Sequence, residues 1–533
     1  MSRSNSFPAV GSNFVTRSWL LRPRSSYCLF FAMWLILMLA GRSAMFRDPG
    51  TFWHVVVGEK IISSGQLPRE DSFSFTCDGQ PWISDYWLAE IIMAIIHRLA
   101  GWDGLLTVTA AILAGIYTFI FSRLLRAGVH WLLAGAILAL VFMASSQQFH
   151  VRPLIITLAG LTIAFSLLVD VEAGRKSPHY CWLLAPLFIL WANMHGGVLS
   201  GIGCVVLCIL GWLLLWAAGK NSPIHNPRQV REMLFLILVL VSSLLINPYG
   251  LNLIRSWFET LSMPLPKLIE EHGPLSLAVP AGWATLSLGV IYGIVLLSVL
   301  PQRPRITWLM PLVFLALALR VRNAPLFAIT AALSLPDMLP HSRLSKWLER
   351  REWFFKEPGH SERSEESCRG STMAGRFFAA LGMTWVLAPV ALVLCLQISG
   401  ISLPLLGRGW VRFDSTQWPM VLLPELQKIN ENASPSDQRI FNDLKYGGFL
   451  IYHTPNLRIF IDDRCSLYGG EFLWRYDIAR RDKPQQIDLW HEQYQFRHAL
   501  VEAGGPFDRH MSQSGRWTLL GRSAAAALYR FNL

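Results

Sequence analysis

Apolar runs dominate the chain as far as about residue 400, at 27–45, 103–122, 131–147, 153–171, 180–194, 197–217, 231–247, 282–300, 305–320, 323–338 and 377–398. Each approaches the roughly 20 residues that cross a hydrocarbon core, or the roughly 17 that still suffice. The pattern predicts an all-α polytopic membrane domain of about eleven transmembrane helices. Two further stretches read differently. Trp82–Ala100 starts with Trp82 and Trp87 and has Asp85, Glu90, His97 and Arg98 interrupting its apolar face, as expected of a helix lying in the membrane interface. A true crossing there is the alternative, and it would invert every later segment. Residues 51–64 set Phe52, Val55, Val56 and Ile62 against His54, Glu59 and Lys60, which predicts a second interfacial helix. From about Gly409 the pattern becomes that of a soluble domain. The runs RIFND, FLIYH, LRIFID and WTLLGR read as strands and 417–432 and 487–504 as helices, giving a small α/β domain of roughly 120 residues. The expected order is a cytoplasmic tail over 1–26, a membrane domain over 27–400 and an external α/β domain over 409–533. Within the membrane domain, 46–100 forms a large first external loop and 341–376 a low-complexity cytoplasmic insertion.

Composition supports lipid as the solvent. Of 533 residues 53% are hydrophobic and 15% charged, more apolar side chains than a water-soluble core of this size would hide. The net charge of +12 raises nucleic acid as a partner, but the Lys and Arg fall in short runs between apolar segments, which is a topology signal. With the N-terminus inside, Arg123/Arg126, Arg175/Lys176, Lys220/Arg228/Arg231, Arg303/Arg305 and 341–376 all become cytoplasmic; Arg320 and Arg322 are the exception. Arg17, Arg22 and Arg24 before the first apolar run resemble a signal peptide, but no small-residue cleavage pattern follows, so the helix reads as retained. The external face then collects 46–100, 147–153, 193–197, the NPYG-containing loop 247–281 and everything after about residue 400. Cys77, Cys368 and Cys465 lie in polar stretches without ligand spacing, so neither a disulfide framework nor a structural zinc site is expected. No P-loop, dinucleotide fingerprint or nucleophile elbow occurs.

The external chemistry begins with Asp48, directly after the first helix, where its carboxylate would be held near the membrane boundary. The order of helix, RDPGTFWHVVVGEKIISSGQLPREDSFSFT, PWISDYWLAE and a many-helix body resembles the fold-C (GT-C) glycosyltransferase superfamily. It is most similar to bacterial members related to the protein O-mannosyltransferases and the lipid A aminoarabinose transferase. The likeness covers about 25–330 in organisation and is most specific over 46–90. It implies transfer of a sugar from a polyprenyl phosphate to an acceptor on the external face, with inversion, and an acid in the first loop, which by position is Asp48. Gly50 stands at the second acidic position of the Asp-x-Asp that several relatives carry, so no metal ligand set is assigned and a divalent cation is an open alternative.

On that resemblance Asp48 is the general base. Arg152 in QQFHVRP, with His150 or Arg322, would neutralise the departing phosphate. His54, Asp71, Asp85 and Glu90 would contact the sugar, and Trp53, Trp82 or Trp191 would stack on its ring. Each residue also has a structural reading. Asp48 and Asp71 are placed as caps, Arg152 can snorkel, His195 in WANMHGG sits at a tight turn, and Asn247 and Tyr249 suit the end of a helix. The tryptophans suit interfacial anchoring. Asp462, Asp463 and Arg464 in FIDDR read as an internal salt-bridge corner or as side chains projecting into a site. The expected partners are a polyprenyl-phosphate-linked sugar, the bilayer and a glycan, lipid or protein acceptor, in a bacterial inner membrane; nucleic acid is not among them. The competing functions are a non-catalytic component of an envelope polysaccharide assembly system and a transporter or flippase of a lipid-linked substrate. The latter would place polar groups mid-helix, whereas the charges here gather at helix ends.

Overall fold

In the computed structural model, residues 13–263, 273–299, 305–318, 320–351, 387–434 and 438–532 are described. Most of the insertion expected at 341–376 lies outside them. The helices that position the site are α1 Asn13–Ala44, α2 Gly50–Ser64, α3 Trp87–Arg126, α4 Trp131–Ser145, α5 Leu154–Glu172, α6 Leu184–Ala192, α7 Val198–Ala217, α8 Pro227–Ser243, α9 Leu251–Ser262, α10 Pro280–Val299, α11 Ile306–Leu317 and α12 Ala324–Met338. Six described helices are long and apolar enough to cross a membrane: Ser26–Ala44, Trp87–Arg126, Trp131–Gln148, Leu154–Glu172, Val198–Ala217 and Pro280–Val299. Shorter apolar helices stand at Pro178–Ala192, Ile306–Leu317 and Leu387–Ile398. Large side chains such as Leu214, Leu238 and Leu297 lie exposed on outer faces, a surface suited to lipid. The chain is a multi-pass membrane protein.

The segment over 82–100 is joined to the next helix, but not as one rod. Gly101 takes φ 66° and ψ −161°, a left-handed conformation open to glycine, and breaks α3 into an arm over 87–100 and a longer helix beyond it. The arm exposes Ile92, Ile95 and Leu99 on one face and buries Ala89, Glu90, Met93 and Ala94 on the other. That buried face receives α2. Gly58 permits the close approach, because a Cβ there would lie 2.0 Å from the Glu90 carbonyl oxygen.

The C-terminal region builds a five-stranded sheet from β1 Arg439–Asn442, β2 Arg458–Ile459, β3 His498–Glu502, β4 Trp517–Arg522 and β5 Ala526–Phe531, in the order β2-β1-β3-β5-β4. β1 runs parallel to β2 and β3, while β5 is antiparallel to β3 and β4. Two expectations are corrected. FLIYH belongs to the helix Gly447–His453; its apolar core of Phe449, Leu450 and Ile451 is buried throughout, and so short a run carries no period that separates strand from helix. The helix expected over 487–504 ends at Tyr494, and Gln495 turns at φ 55° before β3 begins.

This region is seated on the first loop. Phe75 N–H donates to Ile459 O at 3.0 Å and Ile459 N–H to Phe73 O at 3.0 Å, so the loop adds a short strand to the β2 edge. Trp418 donates its indole N–H to Phe46 O at 2.8 Å, and Asp103, just past the α3 bend, accepts the N–H groups of Gly409 and Val411 at 2.8 and 2.7 Å. Gly448 meets Pro49, whose carbonyl oxygen a Cβ would approach to 2.1 Å.

Candidate functional site

Asp48 is placed by backbone before its side chain makes any contact. Val151 N–H donates to Met45 O at 2.9 Å, and the Thr51 hydroxyl donates to Val151 O at 2.9 Å. The turn after α1 is thereby clamped to the segment before α5, and Arg152 forms an ion pair with Asp48. Gly50 N–H donates to Asp48 Oδ1 at 2.8 Å. The Asp48 side chain is 8% exposed and that of Arg152 22%, so the carboxylate is buried and the guanidinium half-buried. Burial alone would raise the Asp48 pKa, but the charges of Arg152 and His150 and the hydrogen bonds from Arg152 and Gly50 outweigh it and hold the carboxyl below its ordinary value. The two side chains are in direct contact.

His54, one turn into α2, is oriented from behind. Its Nδ1 lies 2.9 Å from Glu90 Oε1, and Glu90 also accepts the Ser84 hydroxyl. Glu90 is wholly buried. Its second-sphere position fits a residue that aims the imidazole rather than one that reaches a ligand. His54 Nε2 faces Gly50. A Cβ built on Gly50 would lie 2.7 Å from Asp48 Oδ1, 3.1 Å from Asp463 Oδ2 and 3.4 Å from His54 Nε2. Gly50 therefore lets Asp48, Asp463 and His54 draw together where a side chain would crowd them.

Asp463 is the group whose role the sequence did not reveal. Its Oδ1 accepts the Trp53 indole N–H at 2.7 Å, leaving Oδ2 toward Asp48. Burial, then the charges of Asp48 and Asp462, push its pKa up to about 8 in spite of that hydrogen bond. Its neighbours turn the other way. Arg464 pairs with Asp462 at 2.6 Å and with Asp71 at 2.8 Å, all three buried, and its guanidinium lies over Trp82 at 4.7 Å and Phe73 at 5.1 Å. The FIDDR motif thus satisfies both of its readings, with Asp462 and Arg464 in the corner and Asp463 in the site. The alternation of an extended backbone was the available signal, since successive side chains point to opposite faces.

Asp71 also accepts Phe73 N–H and Ser74 N–H at 3.1 and 3.0 Å, so its carboxylate is committed to the loop. Trp82 packs against Arg464 and stands edge-on to Trp53 at 6.3 Å. Asp85 accepts the Ser256 hydroxyl at 3.0 Å; burial first, then Glu90 and Glu259, raise its pKa to about 7, with the Ser256 hydrogen bond opposing. Trp191 is buried against Gly160 and Gly201 and donates to Thr157 at 3.1 Å, a packing position. His150 Nε2 lies 3.1 Å from Gln147 O. Arg322 occupies the turn before α12, and its charge reaches Tyr86 and His195 together with that of Arg152. His195 Nδ1 accepts Gly197 N–H at 2.8 Å, and burial plus these cations hold the ring neutral. The carboxyls of Asp48 and Asp463 thus converge beside Gly50, with Arg152 paired to the first. Among the described residues no group of three or more His, Cys, Asp and Glu side chains is placed to hold a metal ion. A separate cleft of about 1020 Å³, lined by Glu172, Arg175, Lys176, Lys220, His225 and Arg305, lies at the other end of α5. The 19 residues of α5 put it about 28 Å from Arg152.

No protein-family model matches the sequence, and no curated protein does. Solved structures do. The oligosaccharyltransferase of Archaeoglobus fulgidus, tethered to an acceptor peptide containing an NVT sequon, aligns over 91% of this chain and 70% of its own, with TM-score 0.51 and 12% identity. ArnT from Cupriavidus metallidurans bound to undecaprenyl phosphate aligns over 96% of this chain and 98% of its own with TM-score 0.47 and 12% identity. The apo form aligns over 97% and 98% with TM-score 0.43 and 13% identity. At these identities a likeness speaks to architecture, and the alignment with the archaeal enzyme establishes it: the chain shares the fold of that oligosaccharyltransferase.

Proposed function

We propose that this protein transfers a sugar from a polyprenyl-phosphate donor to an acceptor on the external face of a bacterial cytoplasmic membrane. The observation that carries the reading is the Asp48–Arg152 pair, a buried carboxylate and a half-buried guanidinium in contact just after the first helix. A phosphate draws the guanidinium toward itself, because Arg binds phosphate in the same forked geometry as carboxylate. Asp48 then loses the cation that depresses its pKa and becomes the better base. In the transfer step the acceptor hydroxyl gives its proton to Asp48 as its oxygen bonds the anomeric carbon. The bond from that carbon to the phosphate oxygen breaks on the opposite face, and the phosphate leaves with the electron pair, its charge met by Arg152 and Arg322. His54, aimed by Glu90, is positioned for a sugar hydroxyl. We assign eleven crossings, with the arm over 87–100 in the interface. This puts the site outside, and the basic cleft around Arg175 and Lys220 inside, in accord with the positive-inside pattern.

The test is transfer from a panel of polyprenyl-phosphate sugars by purified wild type and by Asp48→Asn in the same detergent. Turnover with at least one donor, reduced at least a hundredfold in the variant, is expected. Equal turnover by the two proteins would remove Asp48 from the mechanism, and no turnover with any donor would favour a non-catalytic role in an assembly system.

A further inference from the structure

We infer that Asp463, carried into the site by the C-terminal domain, works as a neutral carboxyl that presents its Oδ2–H to the phosphate-bearing ligand beside Asp48. This deepens the proposed transferase reading and rests on it for the identity of the ligand. Three observations assign the role. Oδ1 accepts the Trp53 N–H at 2.7 Å, so the proton is on Oδ2. Oδ2 is the oxygen that flanks the Gly50 position with Asp48 Oδ1 and His54 Nε2. Two carboxyls that close in a buried space do not both ionise, and Asp48 holds the charge because Arg152 pairs with it.

The charged groups around Asp463 leave that division intact. From its own corner come Asp462 and Cys465, with the cation Arg464 already neutralised by Asp462 and Asp71. From α2 comes His54, and from the segment before α5 come Arg152 and His150, which act through Asp48. The net field at Asp463 is negative, and it opposes a second ionisation beside Asp48. A protonated Asp463 gives an anionic ligand a hydrogen-bond donor, whereas an ionised one gives it a second like charge.

The test uses the full-length protein and undecaprenyl phosphate in micelles, with dissociation constants measured from pH 7 to 9.5, above the phosphate's own second ionisation at about 6. In parallel, the infrared band of protonated carboxyls is recorded as wild type minus Asp463→Asn. With a midpoint near pH 8, wild-type affinity falls about thirtyfold by pH 9.5. Asp463→Asn keeps a donor at that position and cannot ionise, so at pH 9.5 it binds more tightly than wild type. The difference spectrum contains a carboxyl band at pH 7 that is gone by pH 9.5. Absence of that band, or a wild-type affinity parallel to that of the variant across the range, overturns the inference. The two readings fail separately. A wild type with the band and the pH response but no transfer from any donor sinks the transferase, while one that transfers sugar without the band sinks the role of Asp463.

Discussion

Gly50→Ala separates the geometry of the site from the stability of the fold. Gly50 is the first residue of α2 and does not use a left-handed backbone, so alanine fits the local conformation. In a helix it is favoured over glycine by up to about 1 kcal/mol. Its Cβ, however, would stand 2.7 Å from Asp48 Oδ1, where an ordinary carbon–oxygen approach is about 3.3 Å, so that oxygen must retreat by about 0.6 Å. Asp48 cannot retreat without cost, because Oδ1 accepts Gly50 N–H at 2.8 Å and Oδ2 is paired with Arg152. Asp463 Oδ2, at 3.1 Å, is displaced as well. A misplacement of about 1 Å can cost a hundredfold, so a loss of between about tenfold and a hundredfold in kcat/KM is expected. The assay pairs transfer from a polyprenyl-phosphate sugar with thermal unfolding in the same detergent. The expected result is a melting temperature equal to or above that of wild type with turnover reduced at least tenfold. Wild-type turnover in Gly50→Ala would refute the claim that chemistry occurs beside this glycine. A large drop in melting temperature would show instead that the crowding is absorbed by the fold.

Arg464→Met leaves the buried carboxylates of Asp71 and Asp462 without their cation and should destabilise the protein by about 3–5 kcal/mol, read as a lower midpoint in chemical or thermal unfolding. Arg464→Lys should recover little, because the planar group between Trp82 and Phe73 is also lost. Trp53→Phe removes the donor that favours ionised Asp463, so the infrared midpoint of that carboxyl should move above about 8; a midpoint that stays or falls would contradict the assignment of Oδ1 as the acceptor. Asp85 has a folded-state pKa of about 7, above that of the unfolded chain, so unfolding releases its proton between about pH 4 and 7 and stability declines with rising pH across that window. Asp85→Asn does not ionise. Its melting temperature relative to wild type should climb from pH 4 to 7 and level off above, and a pH-independent difference would refute the linkage.

The parts legible in the sequence are those whose physics is local. Asp48 and Arg152 were visible because each stands where an apolar run stops, and the alternation of basic loops puts both ends on one side. The arm over 87–100 was visible as a separate segment because Glu90, His97 and Arg98 interrupt its apolar face, and Gly101 supplies the bend that separates it from the longer helix. FLIYH was misread because its short buried apolar core carries no period. The role of Asp463 was hidden for a different reason: its hydrogen bond to Trp53 spans 410 residues, and no local pattern records which way an acid faces across such a distance. The contacts of Asp71 and Trp82 with Arg464 were hidden for the same reason, since they also join residues far apart in the chain.

The arrangement also shows how the C-terminal region is held against the first loop. Asp48 lies in a turn clamped to the segment before α5. Asp463 is brought to it from the C-terminal region. It reaches that position because residues 73–75 bridge to the β2 edge and Gly448 lets the helix Gly447–His453 touch Pro49. Each of these contacts is backbone to backbone, or needs a bare Cα, so the spacing is fixed by the chain rather than by mobile side chains. A glycine at 50 and an acid at 463 are then one feature. The first lets Asp48 and His54 stand close and the second joins them through the contact between the C-terminal region and the first loop.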